Sequence, residues 1–356
     1  MSNPNSLAAT VLATSAPAYA SLSASQLMER RPELQQRFGE AAFGQWTEHF
    51  RQRVMELSAA LAENEPKLFS ARVLWSQDAF EAREISGDLL TDSLECLRDT
   101  LSSELPDISQ AGPLEYIRLA LSSLDHPVDT APASSGDSLT NLAQMYLVRV
   151  LEGNAHQAIR LVVESVEQGE ISRIDAYEQV LLAAQREAGT MWHRGEISVA
   201  EEHLATTATM QTMAVLAYRA ERAEANGLTV VSAAVARNIH DIGIRAVTDF
   251  FEFAGWRTIC LGRDAPAGEI AEAVCSFEAR LLLVSAALTT QLAAVRESIA
   301  AVRQTAPDCR IMVGGTAFAD APEIWKAMGA DGHARGLADA VATGTRLVQS
   351  ASSRPD

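Results

Sequence analysis

The run Asn238-Ile239-His240-Asp241-Ile242-Gly243 places one imidazole in a short loop, between an apolar run and a helical stretch. A neutral imidazole is a ready metal ligand, and Gly243 lets the chain turn and lets a bulky group approach the backbone. A loop histidine by itself is ordinarily only a solvated side chain. Downstream spacing gives it company. After Gly243 come 41 residues and then Ser285, in Ser285-Ala286-Ala287; after Ala287 come 26 more and then Gly314-Gly315. A second group lies upstream: Trp192-His193-Arg194-Gly195, then Ser198, Glu201, Glu202 and His203, with nine residues between Trp192 and Glu202.

Periodicity shows which elements carry these residues. From Leu228 the chain alternates short apolar runs (228–235, 257–261, 281–287, 311–313) with helical stretches (244–253, 268–277, 292–303). Runs apolar at nearly every position suit strands covered on both faces. Strand-helix alternation predicts a parallel, doubly wound sheet, and ligands bind beyond the carboxyl ends of its strands. His240, Ser285 and Gly314 each follow such an end. Upstream, 138–226 has no proline and reads as four helices of bundle length. One helix ends near Trp192, Gly195 breaks it, and Ser198 caps the next with Glu201 three residues on.

Taken together, the loop, the serine and the glycine pair resemble the signature of the cobalamin-binding family: Asp-x-His-x-x-Gly, then Ser-x-Leu, then Gly-Gly. The resemblance implies a flavodoxin-like fold for 227–352. It also implies that His240 ligates cobalt from below, in place of the cofactor's own dimethylbenzimidazole. That base would enter a slot beside Ser285, with Gly314 and Gly315 leaving room for the nucleotide tail. The Gly262-Arg263-Asp264-Ala265-Pro266 turn also looks like the family's, which adds Asp264 to Asn238, Asp241, Gly243 and Ala287 as expected cofactor contacts. Two positions depart from the pattern. Asn238 stands where an acidic partner of the histidine is usual, which implies a less electron-donating imidazole. Ala287 stands where leucine is usual.

The Trp192 to His203 group resembles the W-x9-EH signature of CarH-type adenosylcobalamin photoreceptors. That resemblance implies a helical bundle over the upper corrin face, Trp192, Glu202 and His203 around an adenosyl group, and His193 as an upper cobalt ligand after photolysis. The expectation is therefore a light sensor, not an enzyme, whose homo-oligomeric assembly or contact with a downstream protein changes with light. Two alternatives stand beside it: a corrinoid methyl carrier of a methyltransferase system, and a cobalamin-responsive antirepressor. A carrier needs an open upper face, and the W-x9-EH group argues against one.

Residues 24–125 read as a further all-helical domain, with Phe43, Trp46, Phe50, Val54, Leu57 and Leu61 on one helix face. The whole chain is thus expected to be α plus α/β. This domain's place before the bundle looks like the photocobilins, which also hold biliverdin. That likeness implies a bilin site drawn from Trp46, His49, Arg53, Arg72 and Trp75. Residues 1–23, rich in Ala, Ser and Thr, read as a disordered leader, and 126–137, with two prolines, as a linker.

The 356 residues suit two or three domains, and a net charge of −17 repels phosphate backbones, which excludes direct nucleic-acid binding. No run is apolar enough to span a bilayer. Four scattered cysteines without a CxxC pair fit a reduced cytoplasm.

Overall fold

A stripe of small side chains turns the expected leader into structure. Ala8, Ala9, Leu12, Ala16, Tyr19, Ala20, Ser23, Ala24 and Leu27 recur every three or four residues and are buried along helix α1 (Ser6–Arg30). Alanines at this spacing carry little hydrophobic contrast, so the stripe reads as low complexity. Yet their small size lets α1 lie close against α3 (Ala42–Glu63), where Ser58 Oγ donates to the carbonyl of Ala9 at 2.8 Å. Pro17 sits inside α1 and removes a donor to the Ala13 carbonyl. Both residues face solvent, so water can satisfy that carbonyl. The disordered leader is corrected on this ground.

The computed structural model describes residues 3–125 and 140–352, which fall in two compact units, 1–133 and 134–356. The expected linker, 126–137, lies outside the described residues. Besides α1 and α3 the first unit contains α2 (Glu33–Phe38), α4 (Pro66–Ala82), α5 (Gly87–Glu104) and α6 (Ala111–Asp125). Arg30 and Arg31, at the end of α1, pair with Asp92 on α5, and Arg30 also with Glu95, tying the two helices at that end.

The second unit begins with α7 (Asn141–Leu151) and α8 (Ala155–Glu167). A long third helix follows in three pieces: α9 (Arg173–Asp175), a π-helical turn (Ala176–Leu181) and α10 (Leu182–Arg194). Gly195, at φ +78°, ends α10 in the left-handed conformation that glycine adopts without strain. Ser198 and Glu201 then form a reciprocal capping box at the start of α11 (Val199–Tyr218). These helices close around Tyr146, Val150, Val162, Tyr177, Val180, Leu181 and Met213.

Beyond α11 lies a five-stranded parallel sheet in the order β2-β1-β3-β4-β5. Its strands are β1 (Thr229–Val235), β2 (Arg257–Ala265), β3 (Leu281–Ser285), β4 (Arg310–Gly314) and β5 (Gly332–His333). Helices α12 (Ile242–Phe253), α13 (Ala267–Ser276), α14 (Leu292–Thr305), α15 (Ile324–Met328) and α16 (Leu337–Ser352) connect and cover it. This is the flavodoxin-like order, in which the chain switches direction between β1 and β3. The fifth strand is two residues long and gives too short an apolar run to be seen in sequence. The bundle packs on α12 and the start of α16, burying Ile242, Ala246 and Leu337 in its own core. Among the described residues no helix is long and apolar enough to cross a membrane.

Candidate functional site

The crevice at a switch point opens where neighbouring connections leave the sheet in opposite directions. Here that point lies between β1 and β3, and His240 and Ser285 follow those two strands. Ser285 is in register with Ala234 on β1 and with Gly314 on β4. The sheet pairing itself therefore brings the serine beside the glycine pair.

Ile239 and His240 are exposed at the tip of the β1–α12 loop, while Asn238 beneath them is fully buried. The Asn238 amide Nδ2 donates to the Ser285 carbonyl at 3.0 Å, and its Oδ1 accepts from the His240 backbone N–H at 3.0 Å. Asp264, held at φ +54° near the end of β2, closes the loop from the other side. Its Oδ1 accepts from the Arg237 N–H at 2.6 Å, and its own N–H donates to the Asn238 carbonyl at 2.9 Å. Asp241 is buried and accepts from Arg245 Nε at 2.7 Å, one turn into α12. Asn238, Asp264 and Asp241 thus shape the loop, and His240 is the side chain the loop presents.

The glycines make the cradle. Gly315 adopts φ +100°, and a Cβ there would lie 2.2 Å from the Ala286 carbonyl oxygen. A Cβ on Gly314 would meet only the Ala334 oxygen at 3.9 Å, and one on Gly243 would meet nothing within 4 Å. Gly315 is required by the fold, whereas Gly314 and Gly243 leave space that the protein itself does not use. Thr316 Oγ1 donates to the Ala287 carbonyl at 2.7 Å and joins the β4 loop to the β3 loop.

Sequence reasoning missed Gln291. It is buried after β3, where its Oε1 accepts from the Ala287 and Leu288 N–H groups at 2.9 and 3.0 Å, and its Nε2 donates to the Arg237 carbonyl at 3.0 Å. No spacing rule singles out a glutamine whose role is to bridge two loops.

On the bundle, Trp192 is 43% exposed and His193 is buried at 8%. His193 is thus packed into the bundle and is not presented as a second cobalt ligand. Glu202 Oε1 accepts from Gln185 Nε2 at 3.2 Å and Thr206 Oγ1 at 2.8 Å, and its Oε2 lies 2.8 Å from His203 Nδ1. Gln185 and Thr206 are further residues that sequence reading missed. Gln185 Nε2 also donates to Thr206 Oγ1 at 2.8 Å, so the group anchors α10 to α11 as much as it faces outward.

The five residues expected to hold a bilin belong to the first unit's packing. Trp46 and Arg53 are buried, and the His49 ring lies 5.1 Å from Trp46 and 5.8 Å from Phe80, centroid to centroid. Arg53 pairs with Glu56 at 2.7 Å and donates to the Arg72 carbonyl at 3.1 Å, while the Arg72 guanidinium stacks on Trp75 at 4.1 Å. Cations spent on a neighbouring carboxylate, a carbonyl and an indole are not displayed for a ligand's propionates.

The donor set fits a cobalt corrinoid. Among the described residues no three His, Cys, Asp or Glu side chains converge as a metal site. One exposed imidazole over a glycine cradle suits a metal that arrives with its other ligands already in place.

Comparison with known proteins agrees with that geometry and changes the reading of its use. Residues 228–342 match a family model described as a B12 binding domain, and residues 142–217 match a second model of the same description. The chain is 27% identical over 198 residues to dimethylamine corrinoid protein 1 of Methanosarcina acetivorans, covering 54% of this chain and 90% of that protein. It is 29% identical over 195 residues to dimethylamine corrinoid protein 3 of the same organism, covering 52% and 89%. The solved monomethylamine corrinoid protein of Methanosarcina barkeri superposes with a TM-score of 0.52 at 20% identity, over 59% of this chain and all of that one. At that identity the superposition shows the fold alone.

The chain therefore carries B12-binding domains on a helical bundle and a five-stranded parallel sheet. The light sensor expected from the Trp192 to His203 group is overturned, because the relatives are dimethylamine corrinoid proteins by name. With it go the light-dependent assembly and the photolytic role of His193. The bundle and sheet are shared by both uses of cobalamin, and a tryptophan with a Glu-His pair does not tell them apart.

Proposed function

We propose that this chain is a corrinoid methyl carrier, which holds cobalamin at the β1–β3 switch point and shuttles a methyl group between partner methyltransferases. One observation carries the reading: dimethylamine corrinoid proteins align with this chain over nine-tenths of their own length, a span that calls for bundle and sheet together. The group carried is methyl, not adenosyl, and the donor class is the one in the relatives' names, a methylated amine. On this reading the chain presents the cofactor and its partner methyltransferases catalyse the transfers.

A corrinoid bound here would supply a reduced cobalt that takes up a methyl group by forming a cobalt–carbon bond and gives it up by breaking that bond. The protein's part is to bind and orient it. His240 offers its imidazole from below, on a loop whose backbone is fixed by Asn238, Asp264 and Gln291. Ser285, buried between Ala234 and Gly314, lies where a nucleotide tail would descend. Gly314 and Gly315 keep that descent free of side chains. On the bundle, Trp192 and the Glu202–His203 pair would be the side chains to meet the other face of the cofactor. The partly exposed Trp192 indole leaves the face approachable, as a carrier requires.

The test is direct. Protein reconstituted with hydroxocobalamin should keep its colour through gel filtration. After reduction, a methyl donor should convert the visible spectrum to that of the methylated cofactor, and an added thiol methyltransferase should reverse it. Retention of cobalamin without methylation or demethylation in this assay refutes the carrier.

A further inference from the structure

The β1–α12 loop, which carries His240, and the end of β3 at Ser285 with the loop that follows it are joined by two neutral amides, each used at both ends. Asn238 receives the His240 N–H and gives its own N–H to the Ser285 carbonyl, both at 3.0 Å. Gln291 receives the Ala287 and Leu288 N–H groups and gives its own to the Arg237 carbonyl at 3.0 Å. The two side chains are 0% and 4% exposed, so water does not compete for these bonds. We propose that Asn238 and Gln291 act as a paired positioning brace that sets the height of His240 relative to the Ser285 slot before any cofactor arrives.

The chemistry of the amide makes the proposal specific. A carboxylate at either position keeps the acceptor end and loses the donor end. It would turn an oxygen toward the Ser285 or Arg237 carbonyl in a buried place, where an unmet acceptor is costly. Apolar isosteres would lose both ends. The brace thus demands asparagine and glutamine, and it explains why no acid stands at position 238: its nitrogen is committed to the strand end. As a consequence His240 receives no anionic partner from this residue, whose side-chain oxygen holds its backbone N–H instead. Holding a ligand loop in place in advance lowers the ordering cost of binding.

This inference rests on the corrinoid reading for its purpose but not for its test. In the cofactor-free protein, hydrogen exchange at the amides of His240, Ala287 and Leu288 should accelerate in Asn238→Asp and in Gln291→Glu, at both loops in each variant. His240→Ala should leave the same amides protected. With hydroxocobalamin, each brace variant should bind on the order of 10- to 100-fold more weakly, the range seen when a partner orienting a metal ligand is lost. Any cofactor still held should show a smaller histidine-ligated fraction in its visible spectrum. The double variant should bind no more weakly than the worse single one, since either change opens the same joint. Should Asn238→Asp fail to fold, Gln291→Glu, at the foot of α14, carries the same readings. Unchanged exchange in both loops, or additive losses with a wild-type spectrum, overturns the brace. If wild-type protein shows the exchange pattern and takes up no cobalamin, the brace stands and the corrinoid reading falls.

Discussion

The phenol oxygen of Tyr177 lies 2.8 Å from Oδ2 of Asp249 and 3.2 Å from the carbonyl of Met213, at the seam between the bundle and α12. A phenol has one proton and cannot donate to both acceptors at once. Its proton goes to the nearer acceptor, the Asp249 carboxylate, with the Met213 carbonyl the second acceptor in reach. Burial, the dominant influence, pushes the Asp249 pKa up to about 6, aided by Glu252 and opposed by Tyr177 and Arg245. Tyr177 belongs to the π-helical turn of the third bundle helix. One residue later Glu178 accepts from the Leu337 N–H at 2.7 Å. A π-turn commonly marks a place where a helix is re-aimed for function, and here it points two consecutive side chains at the sheet domain.

The raised pKa fixes the sign of a pH effect. Between the ordinary carboxylate value near 4 and about 6, the folded state binds the proton and the unfolded state does not, so stability falls as pH rises through this window. The loss approaches about 3 kcal/mol at most, from a shift of roughly two units. Chemical denaturation at pH 4 and pH 7 should show it as a difference between wild type and Asp249→Asn, which cannot ionise. Identical pH profiles for the two proteins would refute it.

Removing the imidazole tests the lower ligand. His240→Ala should leave the melting temperature of the cofactor-free protein unchanged, because the side chain is exposed. It should weaken hydroxocobalamin binding at least about 10- to 100-fold, as loss of a ligand costs no less than loss of its orienting partner. Equilibrium dialysis with the visible spectrum decides the matter, and wild-type retention would remove His240 from the site.

The two adjacent glycines should behave differently. Gly315→Ala forces a side chain into a left-handed backbone and against the Ala286 oxygen. Strain of this kind costs about 1–3 kcal/mol before the clash is counted, and the variant should melt lower with or without cofactor. Gly314→Ala meets no close neighbour and should leave the cofactor-free melting temperature within experimental scatter while weakening cobalamin binding. Equal destabilisation by both would show Gly314 to be structural only.

In the first unit the pH dependence has the opposite sign. Burial, with the Arg53 guanidinium adding to it, draws the His49 pKa down to about 3. His49 therefore stays neutral when folded, and the unit loses stability as pH falls below the ordinary histidine value near 6.5. Fluorescence of Trp46, whose ring centroid is 5.1 Å from that of His49, should report acid unfolding at lower pH in His49→Phe than in wild type. A variant as acid-sensitive as wild type would place the effect elsewhere.

Patterns repeated along the chain were legible without coordinates. Apolar runs at 228–235 and 281–287 announced buried parallel strands. The histidine, serine and glycine pair pointed to the strand ends beside the switch point, because strand ends and turn glycines are local facts of sequence. Contrast between polar and apolar faces exposed the bundle in the same way. Where contrast vanished, legibility did too: the alanine stripe of α1 buries as fully as a leucine stripe but looks like filler.

Tertiary structure alone decided which side chains meet. The W-x9-EH spacing could not distinguish a photoreceptor from a carrier, since both place the same helices over the same sheet. Arg53 looked free for a propionate until the packing of α3 on α4 buried it and set it against the Arg72 carbonyl. Gln291 and Tyr177 had no signal at all, because each acts on a residue 54 or 72 positions away in the chain. Spacing records what one element presents to its own surroundings, whereas a hydrogen bond between elements depends on how the backbone folds back on itself.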